Sequence, residues 1–394
     1  MKKFRFFAIL LAMLLLLGAF GLLAACAEDP DPNPDGGDPN TPDTPSTGTE
    51  KTQYGDPAIF DECLGYYTSE ASVVQAEDGT RYVFYTSNET EYVQENVIAM
   101  RVGTRGSDGS YTYGDKQIVL RATAGGWDAY NLGAPDVVEG SFAYNGTTYN
   151  YLMAYQATST ANETAYSIGF AVAASLTGEW VKVGTEPVVE YDAAVYGNYV
   201  GYYSPSLIAN TETNVRLFYT WADAYGHYTY FNDIDCTDMA DLGVSGYAML
   251  PSDGLTSNES AVPTQFANGD FAYDAATERL YVVKDVSPAA AARPYTATQI
   301  ELAWIDVNEL YTAAAGDGWQ SLKVFTYTDT IGVYNGGGWE RIYSPALVSA
   351  TDGSVLSAET FDIVYTASDL ASLNEYYVFS PSLHPLTYTV AASA

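Results

Sequence analysis

A short motif that returns five times constrains this chain more than any single residue does. Its clearest copy is Gly133-Ala134-Pro135-Asp136-Val137-Val138: a small or polar residue, proline, another short residue, then two aliphatic or β-branched ones. An aromatic strand follows, Tyr149-Asn150-Tyr151-Leu152-Met153-Ala154-Tyr155. The couplet returns as Ser204-Pro205-Ser206-Leu207-Ile208 with Val215-Arg216-Leu217-Phe218-Tyr219-Thr220, and as Ser344-Pro345-Ala346-Leu347-Val348 with Phe361-Asp362-Ile363-Val364-Tyr365-Thr366. Looser copies are Glu70-Ala71-Ser72-Val73-Val74 before Arg81-Tyr82-Val83-Phe84-Tyr85-Thr86, and Gly269-Asp270-Phe271-Ala272-Tyr273 before Arg279-Leu280-Tyr281-Val282-Val283. A spacing of roughly 65 to 75 residues marks a repeat architecture.

Within a repeat, runs rich in Tyr, Val, Thr, Phe and Trp alternate with hairpin signals such as Asp78-Gly79, Asn145-Gly146 and Asp352-Gly353. Four strands fit each repeat; in the second they fall near Pro135–Glu139, Tyr149–Tyr155, Ser167–Ala173 and Trp180–Gly184. Five repeats of four antiparallel strands predict an all-β fold, a five-bladed β-propeller over residues 51–394. Radial closure suits a chain with so many aggregation-prone segments, because it leaves few open strand edges. The competing architecture is a pair of β-sandwiches with accidental similarity between segments.

Residues 1–25 form a secretory signal: Lys2, Lys3 and Arg5 lead an apolar run from Phe6 to Leu23. Leu23-Ala24-Ala25-Cys26 resembles the lipobox of bacterial lipoproteins, which implies cleavage before Cys26 and lipid attachment to its sulfur. The bland alternative is a membrane-spanning helix, since the apolar run approaches spanning length. Residues 26–50, rich in Pro, Asp, Gly and Thr, lack the apolar residues of a core and read as a disordered tether. The expected location is therefore outside the cytoplasm, lipid-anchored at a bacterial membrane, with the domain standing off the surface as a monomer.

Forty-nine acidic against 16 basic residues give a formal net charge of −33. Such a surface repels nucleic acid and anionic polysaccharide, and no Lys/Arg cluster offsets it. Solubility is explanation enough for the charge, though a neutral carbohydrate partner is compatible with it. Two histidines without metal-ligand spacing give no transition-metal site, and no cofactor is expected; the abundant carboxylates leave a calcium ion open. Cys63 and Cys236 lie in different repeats and read as unpaired buried thiols rather than a disulfide.

The order of the repeats, with Ala134-Pro135-Asp136-Val137 opening the second and Ser175-Leu176-Thr177-Gly178-Glu179-Trp180 closing it, resembles the propellers of family 43 glycoside hydrolases and the related arabinanase and fructosidase clans. The resemblance implies a central pocket, three carboxylates from successive blades and hydrolysis of an arabinose- or xylose-type glycan. It puts a general base at Glu70, where Ala71 replaces the usual proline, with Asp56 of Asp56-Pro57 as the alternative. It puts a tuning carboxylate at Asp136. The general-acid slot falls on Tyr203, whose phenol is a poor acid near neutral pH. Asp270 and Glu340 are the carboxylates that remain to fill that role.

Each candidate carries a plainer reading. For Asp136 it is turn chemistry: a carboxylate after proline accepts backbone N–H bonds in turns. Glu70, Asp270 and Glu340 read equally as solvated charges at strand starts. Trp127, Tyr130, Trp221 and Trp339 beside the inner strands, together with Tyr203, offer faces for stacking on sugar rings, or else pack between blades. A hydrolase, a non-catalytic glycan binder and a protein-interaction scaffold all fit this much, and fold alone does not choose among them.

Overall fold

The computed structural model describes residues 58–59, 65–223, 226–256, 266–286, 297–310, 318–326, 329, 341–368 and 381–390. The architecture is nearly all β. Three separate four-stranded antiparallel sheets form from consecutive strands: β6 to β9 (Tyr130–Tyr144, Thr147–Thr158, Ser167–Ala173, Trp180–Lys182), β10 to β13 (Gly201–Thr211, Asn214–Ala222, His227–Asp235, Gly243–Met249) and β14 to β17 (Ala267–Asp274, Arg279–Val286, Gln299–Asp306, Gln320–Thr326). The first and fifth repeats share one eight-stranded sheet. It joins β1 to β5 (Thr68–Gln75, Arg81–Asn88, Asn96–Arg105, Tyr111–Tyr113, Gln117–Leu120) to β18 to β20 (Arg341–Ala350, Thr360–Ser368, Ser382–Thr389). The link is a parallel pairing of β1 with β18 at Val73–Val348, Val74–Ser349 and Gln75–Ala350. Five separate sheets were the expectation; among the described residues there are four.

Buried faces explain the strand sequences. β8 is buried at all seven positions, as a strand covered on both sides must be, so it reads as a continuous apolar run rather than an alternation. Apolar clusters fill the space between neighbouring sheets in circular order. Phe84, Met100, Met153 and Tyr155 pack repeat one on two, and Leu152, Phe170, Leu207 and Leu217 pack two on three. Phe218, Phe231, Phe271 and Leu280 pack three on four, and Tyr281, Leu302, Phe361 and Tyr365 pack four on five.

The repeated motif has a backbone cause. Glu70, Ala134, Ser204, Asn268 and Ser344 occupy equivalent places in β1, β6, β10, β14 and β18, and all five have φ between 42° and 52°. At each the strand register skips, for instance from Gly133↔Gln156 to Asp136↔Ala154, so the pair Ala134-Pro135 opposes one residue. That is a β-bulge, and its second residue makes no ladder bond. Pro135, Pro205 and Pro345 sit there because a missing N–H is no loss.

The hairpin after β18 leaves its own sheet. Thr351 O accepts from Glu139 N, Asp352 O from Ala209 N and Gly353 O from Tyr273 N, so the turn bonds to β6, β10 and β14 together. A side chain at Gly353 would meet Leu207 O at 3.0 Å. The turn lies across the far end of the central space.

Candidate functional site

The five left-handed residues ring the narrow centre, whose cavity measures about 30 Å³ and is lined by Glu70, Ala134, Asp136, Ser204, Asn268, Asp270 and Ser344. Each left-handed residue donates its backbone N–H to a side chain on the second strand of the preceding repeat. Ala134 donates to Thr86 Oγ1 (2.9 Å), Ser204 to Gln156 Oε1 (2.8 Å) and Asn268 to Thr220 Oγ1 (3.1 Å). Ser344 donates to Asp285 Oδ1 (2.8 Å), and Glu70 closes the circle on Thr366 Oγ1 (3.0 Å). Backbone donors pulled out of a ladder by the bulge are thus satisfied across repeats.

Two residues further along each inner strand, Ser72, Asp136, Ser206, Asp270 and Ala346 form a second, deeper ring. Asp136 accepts from Ser72 Oγ (2.6 Å), Val137 N (2.9 Å) and Leu207 N (2.5 Å), tying three repeats together. Asp270 accepts from Ser206 Oγ (2.9 Å) and Leu347 N (2.7 Å), tying the third, fourth and fifth. Burial raises the pKa of both, and the charge of Asp136 adds to the rise at Asp270. Their oxygens hold inter-repeat bonds while both carboxylates also line the central cavity, so each ties repeats together at its edge. At the fifth place Ala346 has no such side chain, and there β1 and β18 pair directly.

Glu70 is different. Its carboxylate stands in the mouth, accepts from Thr86 Oγ1 (2.7 Å), and lies close enough to Gly133 that a Cβ there would sit 2.9 Å from Oε2. Burial raises its pKa, opposed by hydrogen bonds from Thr86, Ala134 N and Gln156. A further buried carboxylate, under the influence of Glu70, is Asp285 on β15, 4% exposed, which sequence reasoning missed. Its Oδ2 accepts from Asn268 Nδ2 (2.5 Å), and its pKa is pushed up to about 7, chiefly by burial and further by the charge on Glu70. The available signal was positional: Asp285 matches Thr86, Gln156, Thr220 and Thr366 in register with the bulge, one strand over.

Tyr203 is buried, and its hydroxyl is hydrogen-bonded to Nδ1 of His227, a residue also absent from the sequence-based set. Burial pushes its phenol up, and the charges of Asp285 and Glu70 both reinforce the shift. Tyr343, from the fifth repeat, responds to the same two carboxylates. Burial holds His227 below the usual imidazole range, so its ring is neutral near pH 7.

The aromatic candidates scatter. Trp127 stacks on Tyr155 (centroids 5.7 Å apart) and lies over Gly169, where any Cβ would clash; it packs between repeats one and two. Tyr130 is 48% exposed at the start of β6. Trp221 joins an aromatic cluster on the third repeat. Cys26, Asp56, Cys63, Trp339 and Glu340 lie outside the described residues, while Cys236 is a buried free thiol. Among the described residues no group of three His, Cys, Asp or Glu side chains is placed to hold a metal ion.

No protein-family model matches the chain, and no curated protein matches it. Solved structures do. The α-L-arabinofuranosidase from Lactobacillus brevis aligns over 83% of this chain and 92% of its own at 11% identity, with a TM-score of 0.51. A GH62 hydrolase in complex with xylotriose aligns over 85% and 95% at 12% identity and 0.50. The GH43_1 enzyme from Xanthomonas citri aligns over 87% and 93% at 13% identity and 0.51. The chain therefore has the propeller fold of the family 43 type of glycoside hydrolase.

Proposed function

We propose that this protein is a carbohydrate-active five-bladed propeller that hydrolyses a glycosidic bond of a neutral, arabinose- or xylose-type glycan. In this reading the eight-stranded sheet is two blades, the first and the last, joined by their innermost strands. The observation that carries the activity is the placement of Glu70 in the lining of the central cavity with Asp285 just behind it, bonded to the lining residues Asn268 and Ser344, the charge of Glu70 reaching Asp285 and both carboxylates reaching the Tyr203 phenol. Glycoside hydrolysis needs one carboxyl protonated on the leaving oxygen and one ionised to activate water. Asp285, holding its proton up to about pH 7, is suited to the acid. Glu70, whose carboxylate lines the cavity and accepts from Thr86 Oγ1, takes the base role in this reading. This reading adds Asp285 to Asp270 and Glu340, the carboxylates the sequence offered for the acid role, and prefers it to Asp270. Lipidation at Cys26 would hold this domain at the outside of a bacterial membrane.

The test is incubation of the domain with neutral arabino- and xylo-oligosaccharides, reading reducing-end release and binding together. Glu70→Gln and Asp285→Asn should each lower release by about 10²- to 10⁴-fold while binding persists. Release unchanged in both variants would end this assignment. A second reading, a propeller that captures glycans without cleaving them, is favoured by the tyrosine in the third-repeat acid slot; wild-type binding without release would establish it.

A further inference from the structure

The third repeat carries an aromatic face that the chemistry at the mouth does not use. Trp221 pairs with Tyr228, and Tyr219 with Tyr230, across β11 and β12, so these rings share one side of the sheet. Tyr230 stacks on Tyr247 of the outermost strand (centroids 5.1 Å apart, planes at 17°) and lies 5.6 Å from Trp221. Tyr196, on the one-turn helix α1 (Ala193–Tyr196), meets Trp221 edge-on at 5.8 Å. Tyr247 is 60% exposed and Tyr196 44%. The row extends inward to Tyr202 of the innermost strand β10, which lies 6.3 Å from Trp221.

We propose that Tyr196, Trp221, Tyr230 and Tyr247 form a track that holds a neutral polysaccharide chain leading away from the mouth. The inference rests on the carbohydrate reading above and extends it from the bond cleaved to the polymer around it. Ring faces supply flat apolar area to the C–H faces of sugars, while the phenols hydrogen-bond to sugar hydroxyls. Burial pushes the phenols of Tyr230 and Tyr247 up, with Tyr230 adding to the rise at Tyr247, so both stay protonated and uncharged. The negative charge of Asp223 is felt at Tyr228 and Tyr230, and with the overall −33 it disfavours anionic polymers.

The experiment is affinity electrophoresis of the domain in soluble arabinoxylan, linear arabinan and, as an anionic control, polygalacturonate. Tyr247→Ala and the double variant Tyr196→Ala/Tyr247→Ala are compared with Tyr247→Phe, which keeps the ring, and melting temperatures check the fold of each. The inference expects retardation by a neutral polymer, weakened about tenfold in the alanine variants and kept in Tyr247→Phe, with hydrolysis of short oligosaccharides unaltered. Equal retardation of wild type and double variant overturns it, as does no retardation by either neutral polymer or a preference for polygalacturonate. Hydrolysis of short substrates without polymer retardation removes the track and leaves the mouth intact. Tyr247-dependent retardation without any hydrolysis keeps the track and removes the catalytic assignment.

Discussion

The backbone N–H of Glu70 donates to Thr366 Oγ1 at 3.0 Å, a bond between residues 296 positions apart. It is the last link of the circle of five, and it holds the strand that carries the candidate base. Thr366 itself is fully buried on the second strand of the fifth repeat.

Thr366→Val keeps the shape and removes the acceptor, leaving the Glu70 N–H unsatisfied. A stability loss of about 1–3 kcal/mol is expected by denaturant titration, with a fall in turnover, while Thr366→Ser preserves both. Equal stability of the valine and serine variants would show that the closing bond is dispensable.

Asp285 fixes a pH dependence whose sign can be worked out. Its pKa rises from 3.8 to about 7 on folding, so the native protein retains a proton that the unfolded chain has released. Stability contributed by this group is full below its unfolded pKa and falls as pH climbs from about 4 to about 7. Asp285→Asn should flatten that slope in melting curves across the window. The rate of glycan hydrolysis by the wild type should fall as pH passes about 7, where the acid loses its proton.

Asp136→Ala should destabilise by roughly 2–5 kcal/mol, because Ser72 Oγ, Val137 N and Leu207 N all lose their acceptor in a buried place. Asp136→Asn keeps one acceptor oxygen and should lose less. Unchanged stability with abolished hydrolysis would return Asp136 to the catalytic set.

The left-handed backbone at Ala134, with φ of 42°, predicts an ordering of substitutions there. Ala134→Gly should stay within about 1 kcal/mol of wild type, since glycine adopts that conformation freely. Ala134→Val should lose about 1–3 kcal/mol, because β-branching is ill-suited to φ above zero. Melting temperatures of the two variants test the order.

Much of the fold was legible because a bulge demands the same short residues each time it occurs. Pro135, Pro205 and Pro345 flagged three inner strands, and the alternation of aromatic runs with Asp-Gly and Asn-Gly turns supplied the strands beside them. The strand β8 agrees with its sequence-based bounds, whereas β6 runs well past them to Tyr130 and Tyr144. What the pattern could not show was direction. Asp136 and Glu70 both flank the motif and both line the central cavity, yet they hold different places on their bulged strands, Glu70 at the left-handed residue and Asp136 two residues past it. Asp285 lay hidden because the second strands were followed for their aromatic residues, and the residues that matter there are the polar ones at their ends. The fusion of first and last sheets is a parallel pairing of Val73–Gln75 with Val348–Ala350, which a pattern of separate repeats does not reveal.

The turn Thr351-Asp352-Gly353 has a consequence for traffic. Because this turn bonds at once to β6, β10 and β14, a ligand bound beside Glu70 under the proposed function would leave by the side it entered. Departure of one molecule and arrival of the next thus share a single doorway.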